Sequence, residues 1–433
     1  MIDNPPAFSN PYHPLAGADS GLAPFAGRQK AYEHLYQRLT DPQGVGSTIV
    51  LGRRDIGKTA LLRHFNQYFD DTFIGVYLPL KSLNIRSEAD WLNTIALEAM
   101  QSLGERDLSL HRLPRPDTPA DDMRAWLSGE YLPDLFNLIR GRRLVWLLDD
   151  AGTLVQWVQQ SKLPPDHFAY LKSLAGQFPA LGLVLAIDSR YETQIPTMSP
   201  LVGLTDVFRL TNLAAEDVTW LMQKPVEGYY KLSDDALEAV YQATSGSPRL
   251  VQRFGFQLYQ RWESKPVQNF LTVEDVKAVS LAVQRQSESD FQHLWDSLGS
   301  NEQVALTAIT RLLYADPLTP VTAEAVERWL TESDYPRDKT AIHAALRGLE
   351  YDELIDNTKS GIRVSAGVMT PWLMEHAQVR PRGLALAGQR RWIGLAAAVA
   401  LLALVLILAS IASQQGGAPN TTVEPTVTLI TSP

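Results

Sequence analysis

Residues 48–62 read TIVLGRRDIGKTALL, and this stretch decides the fold. Thr48 to Leu51 is short, apolar and rich in β-branched residues, which predicts a strand. Gly52-Arg53-Arg54-Asp55-Ile56-Gly57-Lys58-Thr59 fits the pattern G-x-x-x-x-G-K-[ST]. Ala60, Leu61, Leu62 and Phe65 follow at helical spacing. Each residue type has a chemical reason. The glycines let backbone N–H groups turn inward around phosphate oxygens, and the helix that follows aims its positive end at them. Lys58 can reach the β- and γ-phosphates, and the Thr59 hydroxyl can ligate Mg²⁺. Gly52, Arg53, Arg54, Asp55, Ile56, Gly57, Lys58, Thr59 and Ala60 are therefore the candidate nucleotide cradle.

Working outward, such a loop needs a carboxylate at the end of a neighbouring strand to hold the metal. LVWLLDD at 144–150 supplies it: five apolar residues suit a buried parallel strand, and Asp149 and Asp150 emerge at its carboxyl end. Asp149 is the candidate Mg²⁺ carboxylate with Thr59, and Asp150 sits where a water-polarising acid would sit. LVLAIDSR at 183–190 is another buried strand, from whose end Arg190 could reach a γ-phosphate. FIGVYLPL at 73–80 predicts one more strand. The catalytic candidates are thus Lys58, Asp149, Asp150 and Arg190.

These motifs, with Gly246-Ser247-Pro248 downstream, come in the order seen in STAND-type P-loop ATPases, relatives of the AAA+ and origin-recognition ATPases. Phe25-Ala26-Gly27-Arg28, preceded by Asn10-Pro11-Tyr12, is similar to the opening of bacterial and archaeal members. The resemblance covers roughly 10–376. It implies a P-loop NTPase core with a parallel sheet and helices on both faces, an all-α lid and a winged helix. It also implies that Pro248 lies against the nucleotide base and sugar, that the cofactors are ATP and Mg²⁺, and that the chain self-associates in the ATP state. Asp150 stands where many AAA+ members carry glutamate, which suits a slow ATPase acting as a switch. The expected division is a segment 1–24, ATPase domain 25–208, lid 209–285, winged helix 286–376, basic linker 377–391, membrane helix 392–412 and tail 413–433.

The membrane helix is expected from WIGLAAAVALLALVLILASIA, Trp392 to Ala412, which carries no charge and as a helix spans roughly 30 Å. Arg380, Arg382, Arg390 and Arg391 precede it and no Lys or Arg follows, so the positive-inside rule places the bulk of the chain in the cytoplasm and the tail outside. The opening MIDNPPAFSNPY has no basic and apolar regions of a signal peptide.

Composition narrows the function. The 433 residues include no cysteine, which excludes disulfides, zinc–thiolate sites and a cysteine nucleophile. The eight histidines show no metal-ligand spacing. Net charge is −9, and residues 286–376 hold seven Lys/Arg against fifteen Asp/Glu, a net of −8. A DNA reader places cations along its recognition helix. The corresponding stretch KTAIHAALRGLE has only Lys339 and Arg347. The first expectation is a membrane-anchored, nucleotide-controlled switch that contacts an unidentified protein. A DNA-handling ATPase and an energy-coupling ATPase of a secretion apparatus are the alternatives.

Overall fold

The apolar run before the glycine-rich loop forms β1, Ser47–Gly52, buried along its whole length. The computed structural model describes residues 10–12 and 24–376, apart from 42–45, 70–71, 107, 109, 115–121, 199, 202–205, 265–268, 317–318, 334 and 336–337. β1 belongs to a five-stranded sheet with β2 (Phe73–Pro79), β3 (Arg143–Asp149), β4 (Leu181–Asp188) and β5 (Val207–Arg209). All pairings are parallel and the order is β2-β3-β4-β1-β5. The strands expected at 73–80, 144–150 and 183–190 are present with small shifts at their ends.

Alternation along β3 divides the core. Leu144, Trp146 and Leu148 pack with Trp91, Leu92 and Ile95 of the helix Glu88–Gly104 on one face. Val145 and Leu147 pack with Leu35, Phe65 and Phe73 on the other. A strand covered on both faces has no polar side, so its sequence reads as a continuous apolar run. The pairing of Gly52 with Asp188 and of Leu148 with Leu185 brings the ends of β1, β3 and β4 to one edge.

Beyond β5 the chain is mainly helical. Ala215–Gln223, Asp234–Thr244 and Pro248–Glu263 form one group, with a short parallel pair of β6 (Lys231–Leu232) and β7 (Phe270–Leu271). The helix Val273–Ser297 follows and runs unbroken past residue 285. Its start is fixed by Thr272 and Asp275, which cap each other's backbone, with Thr272 N–H donating to Asp275 Oδ2 at 2.9 Å. Helices Ser300–Ala315, Ala323–Glu332 and Lys339–Tyr351 come next. They are followed by the antiparallel pair β8 (Ile355–Thr358) and β9 (Gly361–Val364), to which Val321 adds a bridge at Ile362. One apolar cluster runs through Val240, Phe254, Val283, Ile309, Leu349 and Trp372, so the two helical groups share a core.

The turn between Asp234–Thr244 and Pro248–Glu263 depends on one glycine. Gly246 has φ +71°, and an added Cβ would lie 2.0 Å from the Leu213 carbonyl oxygen. Gly246→Ala should cost more than about 2 kcal/mol, because an L-residue is strained there and the contact is with backbone. The readout is the thermal unfolding midpoint; an unchanged Tm would show that the turn tolerates a side chain.

The membrane expectation is corrected. Among the described residues, no helix is long and apolar enough to cross a membrane. The longest of the described helices, Val273–Ser297, carries Glu274, Asp275, Lys277, Arg285, Glu288, Asp290 and Asp296, and each such charge is expensive at a bilayer centre. The stretch 392–412 on which the single-pass location rested lies outside the described residues, as do 377–391 and 413–433.

Candidate nucleotide-binding site

The loop leaving β1 turns through two left-handed residues, Asp55 at φ +65° and Gly57 at φ +98°, and the helix Lys58–Arg63 starts directly after it. Glycine takes such a φ without the Cβ penalty that Asp55 carries. Lys58 is only 8% exposed. Its ammonium donates to the Gly52 carbonyl at 2.7 Å and the Arg53 carbonyl at 2.8 Å. Burial lowers its pKa, partly offset by Asp188, Asp149, Asp150 and Asp55 around it.

The structure brings Thr59 and Asp149 together. Thr59 Oγ1 donates to Asp149 Oδ2 at 2.7 Å, and Asp149 is buried at the end of β3. Asp149 Oδ1 accepts the Asp150 backbone N–H at 3.1 Å. Asp150 is exposed in the left-handed region at φ +54°. Partial desolvation and the neighbouring Asp149 raise its carboxyl above the usual range. Arg190 folds back on Asp188, donating from Nε to Oδ1 at 3.0 Å and from Nη2 to Oδ2 at 3.3 Å. Burial would raise the Asp188 carboxyl, but the Arg190 hydrogen bonds and the Lys58 charge hold it below its usual value.

Pro248 is the first residue of Pro248–Glu263, and its Cγ lies 3.9 Å from where a Cβ on Gly57 would stand. Of the other loop residues, Arg53 and Asp55 engage across modules. Arg53 Nη2 donates to Asn212 Oδ1 at 2.8 Å, Arg54 lies 3.7 Å from Asp55, and Asp55 pairs with Arg249. Ile56 is buried and its carbonyl accepts from Arg28 Nη2 at 2.7 Å; Thr59 and Ala60 open the helix. Arg28 also donates to the Thr211 carbonyl at 2.6 Å, and burial pushes its pKa down to about 10.

Several of these residues escape the sequence reading. Arg249 directly follows Pro248 and reaches both Asp55 and, at 3.0 Å, Asp290 of the helix Val273–Ser297; adjacency to the Gly-x-Pro turn was an available signal. Arg209, Asn212 and Glu353 had none. Glu353 Oε2 accepts the Asn212 N–H at 2.8 Å, and Arg209 donates to Asp352 Oδ1 at 2.8 Å while lying 3.4 Å from the centre of the Tyr351 ring. A cavity of about 360 Å³ lies between these elements, lined by Arg53, Asp55, Asp188, Arg190, Arg249 and Glu353 among others. That volume falls in the range of small-ligand sites, roughly 300–1,000 Å³.

Two solved structures share this architecture. A Walker-type ATPase of Pyrococcus abyssi superposes with a TM-score of 0.53 at 14% identity, over 81% of this chain and 96% of its own. The ORC2 protein of Aeropyrum pernix, solved as ADPNP–ADP complexes, does so with a TM-score of 0.53 at 16% identity, over 83% of this chain and 95% of its own. This chain shares the fold of these two structures, a parallel α/β core followed by helical modules. No family model matches the sequence, and no curated protein does.

Within this fold, the donor set at the loop suits Mg²⁺. The Thr59 hydroxyl and the Asp149 carboxylate are hard oxygen ligands. Among the described residues no group of three or more His, Cys, Asp or Glu could hold a metal alone. A magnesium ion bound through one or two protein oxygens takes its remaining ligands from phosphates and water.

Proposed function

We propose that this chain binds ATP with Mg²⁺ and hydrolyses it slowly, as a nucleotide-controlled switch of the STAND or origin-recognition type. One observation carries the reading: Lys58, Thr59 and Asp149 come from β1 and β3 to one edge of the sheet, with Thr59 donating to Asp149. In this reading Gly52 to Ala60 cradle the phosphates, Lys58 neutralises them, and Thr59 with Asp149 holds the metal. Bound Mg²⁺ would neutralise phosphate charge as the terminal bond breaks. Asp150 orients and deprotonates the attacking water, Arg190 leaves Asp188 to meet the γ-phosphate, and Pro248 flanks the base and sugar. Residues 209–285 are the lid and 286–376 a winged helix.

The switch follows from contacts between that last module and the loop. Tyr351, Asp352 and Glu353 end the helix Lys339–Tyr351 and engage Arg209 and Asn212, and Asn212 in turn holds Arg53 of the loop. A charge arriving at the phosphates competes for Arg53, so nucleotide state and module docking are linked. Arg209→Ala, which loosens docking and frees Arg53 for the phosphates, should slow release of bound ADP about tenfold if the contact contributes about 1.4 kcal/mol. Stopped-flow displacement of a fluorescent ADP measures it, and an unchanged rate would remove this contact from the switch. Self-association in the ATP state and contact with another protein belong to the same reading.

DNA handling is the second reading, because the fold is shared with an ORC2 protein. The charge of −8 across 286–376 weighs against it. The decisive experiment measures ATP turnover and oligomeric state with ATP and with ADP, beside salt-dependent DNA binding. Absence of nucleotide binding would sink both readings, and tight specific DNA binding would replace the first by the second.

A further inference from the structure

The Asp149 carboxylate has a third partner that the sequence did not announce. β2 and β3 pair in parallel with Tyr77 opposite Leu147 and Pro79 opposite Asp149. Side chains two apart on a strand share a face, so Tyr77 and Asp149 are diagonal neighbours on the same side of the sheet. The Tyr77 hydroxyl spans that diagonal and donates to Asp149 Oδ2 at 2.9 Å, the oxygen that also accepts from Thr59. The Arg63 guanidinium, at the end of the helix that begins at Lys58, lies 5.0 Å from the centre of the Tyr77 ring. The ring therefore connects the helix after the loop to the acid at the end of β3.

We propose that Tyr77 is a positioning residue for Asp149, and that its hydroxyl sets how tightly a divalent cation is held together with bound nucleotide. The proposal rests on the ATP–Mg²⁺ reading above. Tyr77 does not touch the phosphates; it acts through the carboxylate. Three donors hold that group: Thr59 and Tyr77 on Oδ2, and the Asp150 N–H on Oδ1. Together they fix its rotation about the last side-chain bond. Because Thr59 spends its proton on Asp149, its oxygen lone pairs are left to face a cation. A phenol carries its proton at neutral pH and so donates to the carboxylate. Without it, Asp149 turns more freely and Thr59 alone must hold Oδ2.

A tyrosine that merely satisfies its own hydroxyl on a nearby acceptor would affect stability and nothing else. Cation dependence separates the two roles. The full chain, as wild type and as Tyr77→Phe, is titrated with a fluorescent ADP analogue, first in EDTA and then across a Mg²⁺ series. Loss of an outer partner of a metal ligand typically weakens metal binding about 10- to 100-fold. The Mg²⁺ midpoint of Tyr77→Phe should therefore rise by about tenfold or more, while affinity in EDTA stays within about twofold of wild type. An unshifted midpoint overturns the proposal. So does a loss of affinity that is equal with and without Mg²⁺, which would mark Tyr77 as a support of the loop itself. If the wild type binds no nucleotide under either condition, the ATP reading fails, and this proposal with it.

Discussion

Lys58→Ala should weaken ATP and ADP binding by about a hundredfold or more. The ammonium now spends its hydrogen bonds on the Gly52 and Arg53 carbonyls, so it already points along the inner wall of the loop. Two charge-assisted hydrogen bonds to phosphate contribute about 1.5–3 kcal/mol each, and about 1.4 kcal/mol is a factor of ten in affinity. The loss is larger than one cation suggests, because Asp55, Asp149, Asp150 and Asp188 all act on Lys58. Removing the buried cation leaves those carboxylates to repel a polyphosphate. Two loop carbonyls also lose their donor, so the loop loosens at the same time. Calorimetric titration with ATP and ADP reads the effect, and thermal unfolding of the free variant separates it from a loss of fold. Normal affinity in a folded Lys58→Ala protein would refute the site.

Asp150→Asn should leave nucleotide affinity close to wild type and slow hydrolysis by about a hundredfold or more, the usual contribution of a positioned general base. The amide is isosteric but cannot take a proton. Asp150 is exposed and left-handed at the end of β3 while Asp149 beside it is buried and triply hydrogen-bonded. In the proposed reading the two acids therefore divide the work: one is held fixed for a cation, the other is open to water. The sign of the pH effect follows from the environment. Partial desolvation and Asp149 raise the Asp150 carboxyl, so the base is lost to protonation at a higher pH than for an ordinary aspartate. Wild-type turnover should fall on the acid side through that raised value, and the limb should be missing from the residual rate of Asp150→Asn. Unchanged turnover would show that another group polarises the water.

Much of the α/β core was legible from residues 48–62 and 144–150. A G-x-x-x-x-G-K-[ST] loop works through backbone geometry confined to a few consecutive residues, so its signal is local. Buried parallel strands leave an equally local mark, because both faces must be apolar. The cross-module contacts left none. Asp55 meets Arg249 across 194 residues, and Asn212 meets Glu353 across 141. No spacing rule links positions so far apart. Arg190, expected to reach a γ-phosphate, forms an ion pair with Asp188 two residues back and keeps its side chain half-exposed. The membrane location rested on 392–412 alone and finds no support in any described helix.

By itself, the sequence determined the phosphate loop, the two acids at the end of β3, the apolar strands and the acidic character of 286–376. Each depends on residues that are neighbours along the chain or on a simple sum of charge. Only the tertiary structure decided that Tyr77 and Thr59 share one oxygen of Asp149, and that Arg249 ties the loop to the long helix. It alone placed the acidic end of Lys339–Tyr351 against Arg209 and Asn212. Those arrangements arise from strand register and from packing across one continuous helical core. Both are set by the whole chain's burial of apolar surface, and no short stretch of it contains them.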